Sequence, residues 1–160
     1  METTYYDTGD KALGSLRWTL RRRLENGVSV CTLKTPAPGG GRGEWETECS
    51  DIYAAIPVLC NLGAPIELKN KVKEGVFPVC GAKFTRLAKS ISLENCTVEL
   101  ALDQGILLGG GKELPLSEVE VELKSGSEEA AVAFAEALAA KFGLVPEEAS
   151  KFKRALTLAL

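Results

Sequence analysis

An α+β fold dominated by antiparallel strands is what this chain predicts, on three observations. Six segments alternate polar and apolar residues with the two-residue period of a half-buried strand. Glycine punctuates the places where those segments would turn: Gly27, the run Gly39–Gly41, and Gly109–Gly111. The helical spacings are few and grouped, after the third strand and towards the C-terminus, the pattern of strands and helices kept apart along the chain.

The elements follow in order. Residues 15–25 (SLRWTLRRRLE), 28–35 (VSVCTLKT) and 42–49 (RGEWETEC) alternate and read as a three-stranded meander, with Thr35–Gly41 as the loop before the third strand. Residues 51–62 and 64–74 are helical, with Asp51 as N-cap and Ala55, Ile56 and Leu59 at helical spacing. Strand character resumes at 82–93 (AKFTRLAKSISL), 96–103 (CTVELALD) and 114–124 (LPLSEVEVELK). Ser127 then caps a helix of strong formers, EEAAVAFAEALAAKF, with Glu128 and Glu129 placed in its first turn where the helix dipole favours them. Gly143 ends that helix and a short one near 147–155 closes the chain.

Composition sets the outer limits. With 160 residues, 45% hydrophobic and 26% charged, a single domain over 1–160 is expected. No apolar run approaches the roughly 18 residues a membrane helix needs, and the start METTYYDTGDKALG lacks a signal-peptide pattern, so a cytoplasmic protein with no membrane partner is expected. A net charge of −3 argues against a nucleic-acid partner. There is no histidine, which excludes Ser-His-Asp and Cys-His catalysis, His-ligated zinc and an imidazole switch. The five cysteines form no Cys-x-x-Cys and read as reduced core thiols.

The strand faces are unusual. Side chains of like parity share a face. Leu16, Trp18, Leu20 and Leu24 fall opposite Arg17, Thr19, Arg21 and Arg23; Lys34 is opposite Leu33; Arg42, Glu44, Glu46 and Glu48 stand together. Glu99 and Asp103 oppose Val98, Leu100 and Leu102, and Glu118, Glu120 and Glu122 oppose Val119, Val121 and Leu123. The plain reading is one buried and one solvated face. Two features tell against it: glutamates in period 2 repel one another unless cations neutralise them, and the basic groups come early while the acids come late. A sheet curled into a barrel would set both clusters across one lumen, a site for an anion and its metal ions.

A set of short motifs occurs in one familiar order: Tyr5-Tyr6-Asp7-Thr8, Leu20-Arg21-Arg22-Arg23, Leu33-Lys34, Arg42-Gly43-Glu44-Trp45-Glu46, Phe84-Thr85-Arg86, Glu99–Asp103, Glu118–Leu123 and Ser150-Lys151. The chain resembles the CYTH domain of the triphosphate tunnel metalloenzymes, a family of inorganic triphosphatases, thiamine triphosphatases and class IV adenylate cyclases. The resemblance implies an antiparallel β-barrel with flanking helices whose lumen binds a linear triphosphate. It further implies that Arg21, Arg23, Lys34, Arg86 and Lys151 hold phosphate oxygens. Glu118 and Glu120, with Asp103 nearby, would be ligands of Mg²⁺ or Mn²⁺, and Glu44 or Glu46 a further lumen acid. These residue types suit the chemistry: arginine gives planar donors to phosphate, and hard divalent ions prefer carboxylate oxygen. Arg22 has the parity of the leucines and is excluded. Lys69, Lys71 and Lys73 read as helix surface, Glu48 as a strand-end charge, Glu122 as a residue of the barrel mouth, and Trp18 and Trp45 as core or outer-face residues.

The expected activity is hydrolysis of a triphosphate-containing small molecule, inorganic triphosphate first, since nothing supplies an aromatic pocket for thiamine or adenine. A non-catalytic polyphosphate- or nucleotide-binding module, thiamine triphosphate hydrolysis and adenylate cyclisation are the alternatives. The family's motif order begins with a strand bearing Glu-x-Glu-x-Lys and a helix, whereas here Met1-Glu2-Thr3-Thr4 stands directly before Tyr5. Without that N-terminal strand, the expectation is weak catalysis, a barrel wall left open or filled by a neighbouring chain, and a possible homodimer.

Overall fold

The computed structural model describes residues 1–160. In chain order the elements are β1 (Glu2–Asp7), α1 (Ala12–Ser15), β2 (Thr19–Glu25), β3 (Val28–Pro36), β4 (Arg42–Glu48), α2 (Ile52–Asn61), α3 (Glu67–Lys71), β5 (Phe77–Ser92), β6 (Cys96–Gly109), β7 (Lys112–Gly126), α4 (Glu128–Phe142) and α5 (Lys151–Leu158). The strands form one seven-stranded sheet in the order β4-β3-β2-β1-β5-β6-β7, so the ring of hydrogen bonds is not closed within this chain. Two compact units divide it: residues 1–83, 107–114 and 151–160 in the first, residues 84–106 and 115–150 in the second. No helix is long and apolar enough to cross a membrane.

In the first unit the antiparallel register decides everything. Tyr6 lies opposite Leu20, Leu20 opposite Leu33, and Leu33 opposite Trp45. That row faces α2 and α3, and buries Leu20 and Leu33 completely with Ile52, Ala55, Ile56, Leu59 and Leu68. One residue along, Tyr5 opposes Arg21, Arg21 opposes Thr32, and Thr32 opposes Glu46. Alternation on each strand thus separates an apolar face from a charged one. The charged face is covered in part by α5, whose Phe152 ring lies 5.0 Å from Tyr5 between centroids. Gly109 allows that approach, because a β-carbon there would collide with the Ala155 carbonyl.

The second unit has its own small core. Ala131 of α4 packs on Cys96 and Val98 of β6, flanked by Ile91, Leu93, Val121, Ala130 and Phe134. Ser127 caps α4 by accepting from the Ala130 N–H at 3.2 Å, and Gly143 ends it in the left-handed conformation (φ 64°). Gly126 must be glycine: its φ is +93°, and a β-carbon would stand 2.5 Å from the Asn95 carbonyl oxygen.

The strand expected from residue 15 starts instead at Thr19; Ser15 ends α1, and residues 16–18 turn the chain back to the sheet. The cause is Asp7. Its buried carboxylate accepts from the N–H groups of Thr8 (2.7 Å), Leu13 (2.9 Å) and Gly14 (3.0 Å), which winds 12–15 into a turn of helix. Arg17 then takes a positive φ of 60° to re-enter the sheet. β1, in the middle of the sheet, had no counterpart among the expected strands. Its buried positions are Thr3, Tyr5 and Asp7, polar residues that leave no apolar period to read. The helix expected over 64–74 is confined to Glu67–Lys71, between Pro65 and Gly75.

All five thiols are free, as expected. Burial pushes the Cys31 thiol up to about 11, with the neighbouring Cys49 adding to it, and the Cys80 thiol up to about 12. Two predictions follow from these contacts. Asp7→Ala should lower stability by about 1–3 kcal/mol, the cost of leaving buried N–H donors unpaired, read from urea unfolding; an unchanged midpoint would contradict the capping role. Titration with a thiol reagent at pH 8 should modify the half-buried Cys49 and Cys60, and reach Cys31 and Cys80 only after denaturation.

Candidate active site

In the first unit, β2, β3 and β4 bring Arg21, Arg23, Lys34, Glu44 and Glu46 onto the charged face. The register does this: Arg21 shares a row with Thr32 and Glu46, and Lys34 stands between Thr19 and Glu44. Lys34 Nζ is 3.7 Å from a Glu44 carboxylate oxygen. Burial first, then the guanidinium of Arg21, holds the Lys34 ammonium below the ordinary lysine range; Glu44 opposes this shift, and Arg42 and Arg23 add to it. Arg23 Nε donates to Thr3 Oγ1 at 2.8 Å. Arg21 Nε is buried with no acceptor, the one such side-chain atom in the chain. A buried guanidinium N–H without an acceptor costs stability, and an incoming anion would relieve that cost. Lys151, the first residue of α5, is 7% exposed, and its neighbour Phe152 is seated on Tyr5 of the same face. Arg22 is on the opposite face and donates to Ser29 Oγ at 2.8 Å, as its parity required. Trp18 and Trp45 pack against the core, Glu48 is exposed, Lys69 and Lys73 are exposed, and Lys71 is half-buried.

In the second unit, β5, β6 and β7 bring together Arg86, Asp103, Glu118 and Glu120. Asp103 is fully buried. Arg86 Nε donates to Asp103 Oδ1 and Nη2 to Oδ2, both at 2.7 Å, and Nη2 also donates to Glu120 Oε2 at 3.0 Å. The hydrogen bond to Asp103 is the main reason the guanidinium is pushed further above its ordinary range, against the opposing effect of burial. One oxygen from each of Asp103, Glu118 and Glu120 lies within 4.8 Å of the others. Three carboxylates with no thiol or imidazole make a hard donor set, suited to Mg²⁺ or Mn²⁺ rather than to a softer ion. Glu122 is exposed and pairs with Lys124 at 3.3 Å.

The sequence profile of the CYTH domain family matches residues 1–156. The chain belongs to the CYTH domain family. An inorganic triphosphatase from Haemophilus influenzae is 30% identical over 157 residues, 97% of this chain and 45% of that protein, so this chain spans about half of that relative's length. The structure of a candidate adenylate cyclase from Bacillus halodurans aligns with a TM-score of 0.60 at 22% identity, over 93% of this chain and 78% of that one. One from Vibrio parahaemolyticus aligns with a TM-score of 0.50 at 19% identity, over 98% and 79%. At such identities the likeness is one of fold. The CYTH fold of this chain is the one its motif order implied.

Two residues that the sequence left unmarked complete the faces of this CYTH chain, Thr3 holding Arg23 and Thr32 separating Arg21 from Glu46, and Phe84, quoted only as part of a motif, lies 5.7 Å from the Arg86 guanidinium carbon. Threonine and aromatic content marks a strand in each case but not a role. The lowered Lys34 yields a pH prediction. Between its folded range and the ordinary lysine range the unfolded chain binds the extra proton, so stability should rise with pH there. Lys34→Arg should remove that rise, because guanidinium does not deprotonate; matching pH–stability profiles for the two proteins in urea unfolding would contradict the shift.

Proposed function

We propose that this CYTH chain is a divalent-metal-dependent triphosphatase, with inorganic triphosphate as its substrate. The observation that supports it most is the convergence of Asp103, Glu118 and Glu120 beside Arg86. The identity to an inorganic triphosphatase supports the substrate class. In this reading Arg21, Arg23, Lys34, Arg86 and Lys151 bind and orient phosphate oxygens, Arg21 through the N–H that has no protein acceptor. Glu44 and Glu46 limit the positive charge around Lys34 and Arg21 while no anion is bound. Mg²⁺ or Mn²⁺ would be held in the carboxylate cluster of Glu118, Glu120 and Asp103, where it would offset charge on the phosphates and polarise a phosphoryl oxygen. Phosphoryl transfer to water needs positioning and charge neutralisation rather than a protein nucleophile, so a chain without histidine is equipped for it. The reading includes no nucleic-acid or membrane partner, and a cytoplasmic setting.

The assay is phosphate release from tripolyphosphate with Mg²⁺, run beside ATP and thiamine triphosphate. Tripolyphosphate should be hydrolysed fastest, and Glu120→Gln should lower turnover at least tenfold by weakening the hold on the ion. Hydrolysis of none of the three, while tripolyphosphate still raises the melting temperature, would overturn the enzyme reading in favour of a binding module. Preferred turnover of thiamine triphosphate or ATP would overturn the substrate assignment alone.

A further inference from the structure

In the first unit Arg23 is held at its stem by a residue of the central strand. Thr3 of β1 lies opposite Arg23 of β2, and Arg23 Nε donates to Thr3 Oγ1 at 2.8 Å. Across the β2–β3 ladder Arg23 faces Val30, so neither residue opposite it carries a charge. Thr3 is buried and has a rung on each flank, with Arg23 on one side and the wholly buried Ala82 of β5 on the other. β5 comes close at that point: a β-carbon on Gly81 would stand 2.7 Å from the Thr3 carbonyl oxygen. Threonine is stiff at χ1, so a backbone fixed from both sides also fixes the hydroxyl. The acceptor is preset.

Two properties of the contact bear on an anion. It is made at Nε, the nitrogen nearest the aliphatic stem, and so it sets the direction of the guanidinium plane. It is also made to a neutral group. A carboxylate would hold the arginine more strongly but would offset the charge an anion seeks, whereas a hydroxyl leaves that charge in place. That charge acts on the shared face: after burial and Arg21, the Arg23 guanidinium is among the groups that hold the Lys34 ammonium below the ordinary lysine range.

We propose that Thr3 is a positioning residue for anion binding: its hydroxyl aims the Arg23 guanidinium along the charged face without removing positive charge from it. This rests on the phosphate-binding role given to Arg23 above. It adds to that site an uncharged residue of β1, which acts through Arg23 rather than by touching the anion.

The test uses the full chain, with tripolyphosphate affinity read by calorimetry in EDTA and folding by the melting temperature without ligand. Thr3→Val keeps the branched shape and removes the acceptor. It should weaken tripolyphosphate about tenfold, the scale of one hydrogen bond to a charged group. Thr3→Ser keeps the hydroxyl and should stay within about threefold of the parent. In the Arg23→Gln background, where binding is already weak, Thr3→Val should change affinity by less than about twofold, because the two residues act as one unit. Should Thr3→Val fail to fold, Thr3→Ala takes its place in the same comparisons. Parental affinity in the folded variant that lacks the hydroxyl would overturn the proposal. Equal losses in Thr3→Val and Thr3→Ser would overturn it too, since the cause would then be packing. So would an undiminished loss from Thr3→Val in the Arg23→Gln background. Parental affinity in Arg23→Gln, or a parent chain that binds no tripolyphosphate, would instead overturn the anion reading of Arg23, and the proposal with it.

Discussion

The ladder from β1 to β4 cannot slip by one residue, and the first unit depends on that constraint. In the observed register Leu20, Leu33 and Trp45 line up beneath α2, while Arg21, Thr32 and Glu46 line up on the other side. A shift of one position on any strand would exchange the two rows. It would bury a guanidinium among Ile52, Ile56 and Leu59 and expose two leucines that are now wholly excluded from water, each contributing about 1.5–3 kcal/mol by burial. The core therefore does more than stabilise. It fixes which face the charges occupy, and the carboxylate of Asp7 sets where β2 begins by winding α1 in front of it.

Charge placed on a face by packing is not thereby stable. Arg21, Arg23 and Lys34 share one side of the first unit, where an Arg21 N–H has no acceptor and Lys34 is held below its ordinary range, first by burial and then by the Arg21 guanidinium. The second unit handles its charge differently, by pairing. Asp103 is tolerated at full burial because Arg86 answers both of its oxygens; removing one partner from such a pair costs about 3–5 kcal/mol. The two units thus hold charge differently: Arg21 keeps a buried N–H without an acceptor, while Arg86 and Asp103 are closely paired.

Much of this was legible in the sequence, and the exceptions have physical causes. Period-2 alternation set Arg21, Arg23 and Lys34 on the face away from the leucines and put Glu118 and Glu120 on one face of their strand, since strand parity is a matter of geometry alone. It excluded Arg22 for the same reason. Alternation failed at β1, whose buried side chains are threonine, tyrosine and aspartate, so that the strand at the centre of the sheet carries no hydrophobic period. It failed again at residues 15–18, where an apolar pattern exists but the Asp7 carboxylate, by taking the Leu13 and Gly14 N–H groups, winds the chain just before them into α1. The pairing of Arg86 with Asp103 was beyond reach by either route. The two are seventeen residues apart on neighbouring strands, and the motif order assigned one to phosphate and the other to metal.

Within the second unit that pairing also decides which contact can vary. Arg86 Nε and Nη2 both donate to Asp103 at 2.7 Å, and Nη2 reaches Glu120 Oε2 at 3.0 Å. Two short bonds therefore anchor the guanidinium to a fully buried carboxylate, and the longer one reaches a side chain that is 44% exposed. The contact to Glu120 can be exchanged without moving the guanidinium, since the two bonds to Asp103 fix its plane. With no histidine in the chain, no imidazole near this cluster gains or loses a proton around neutral pH.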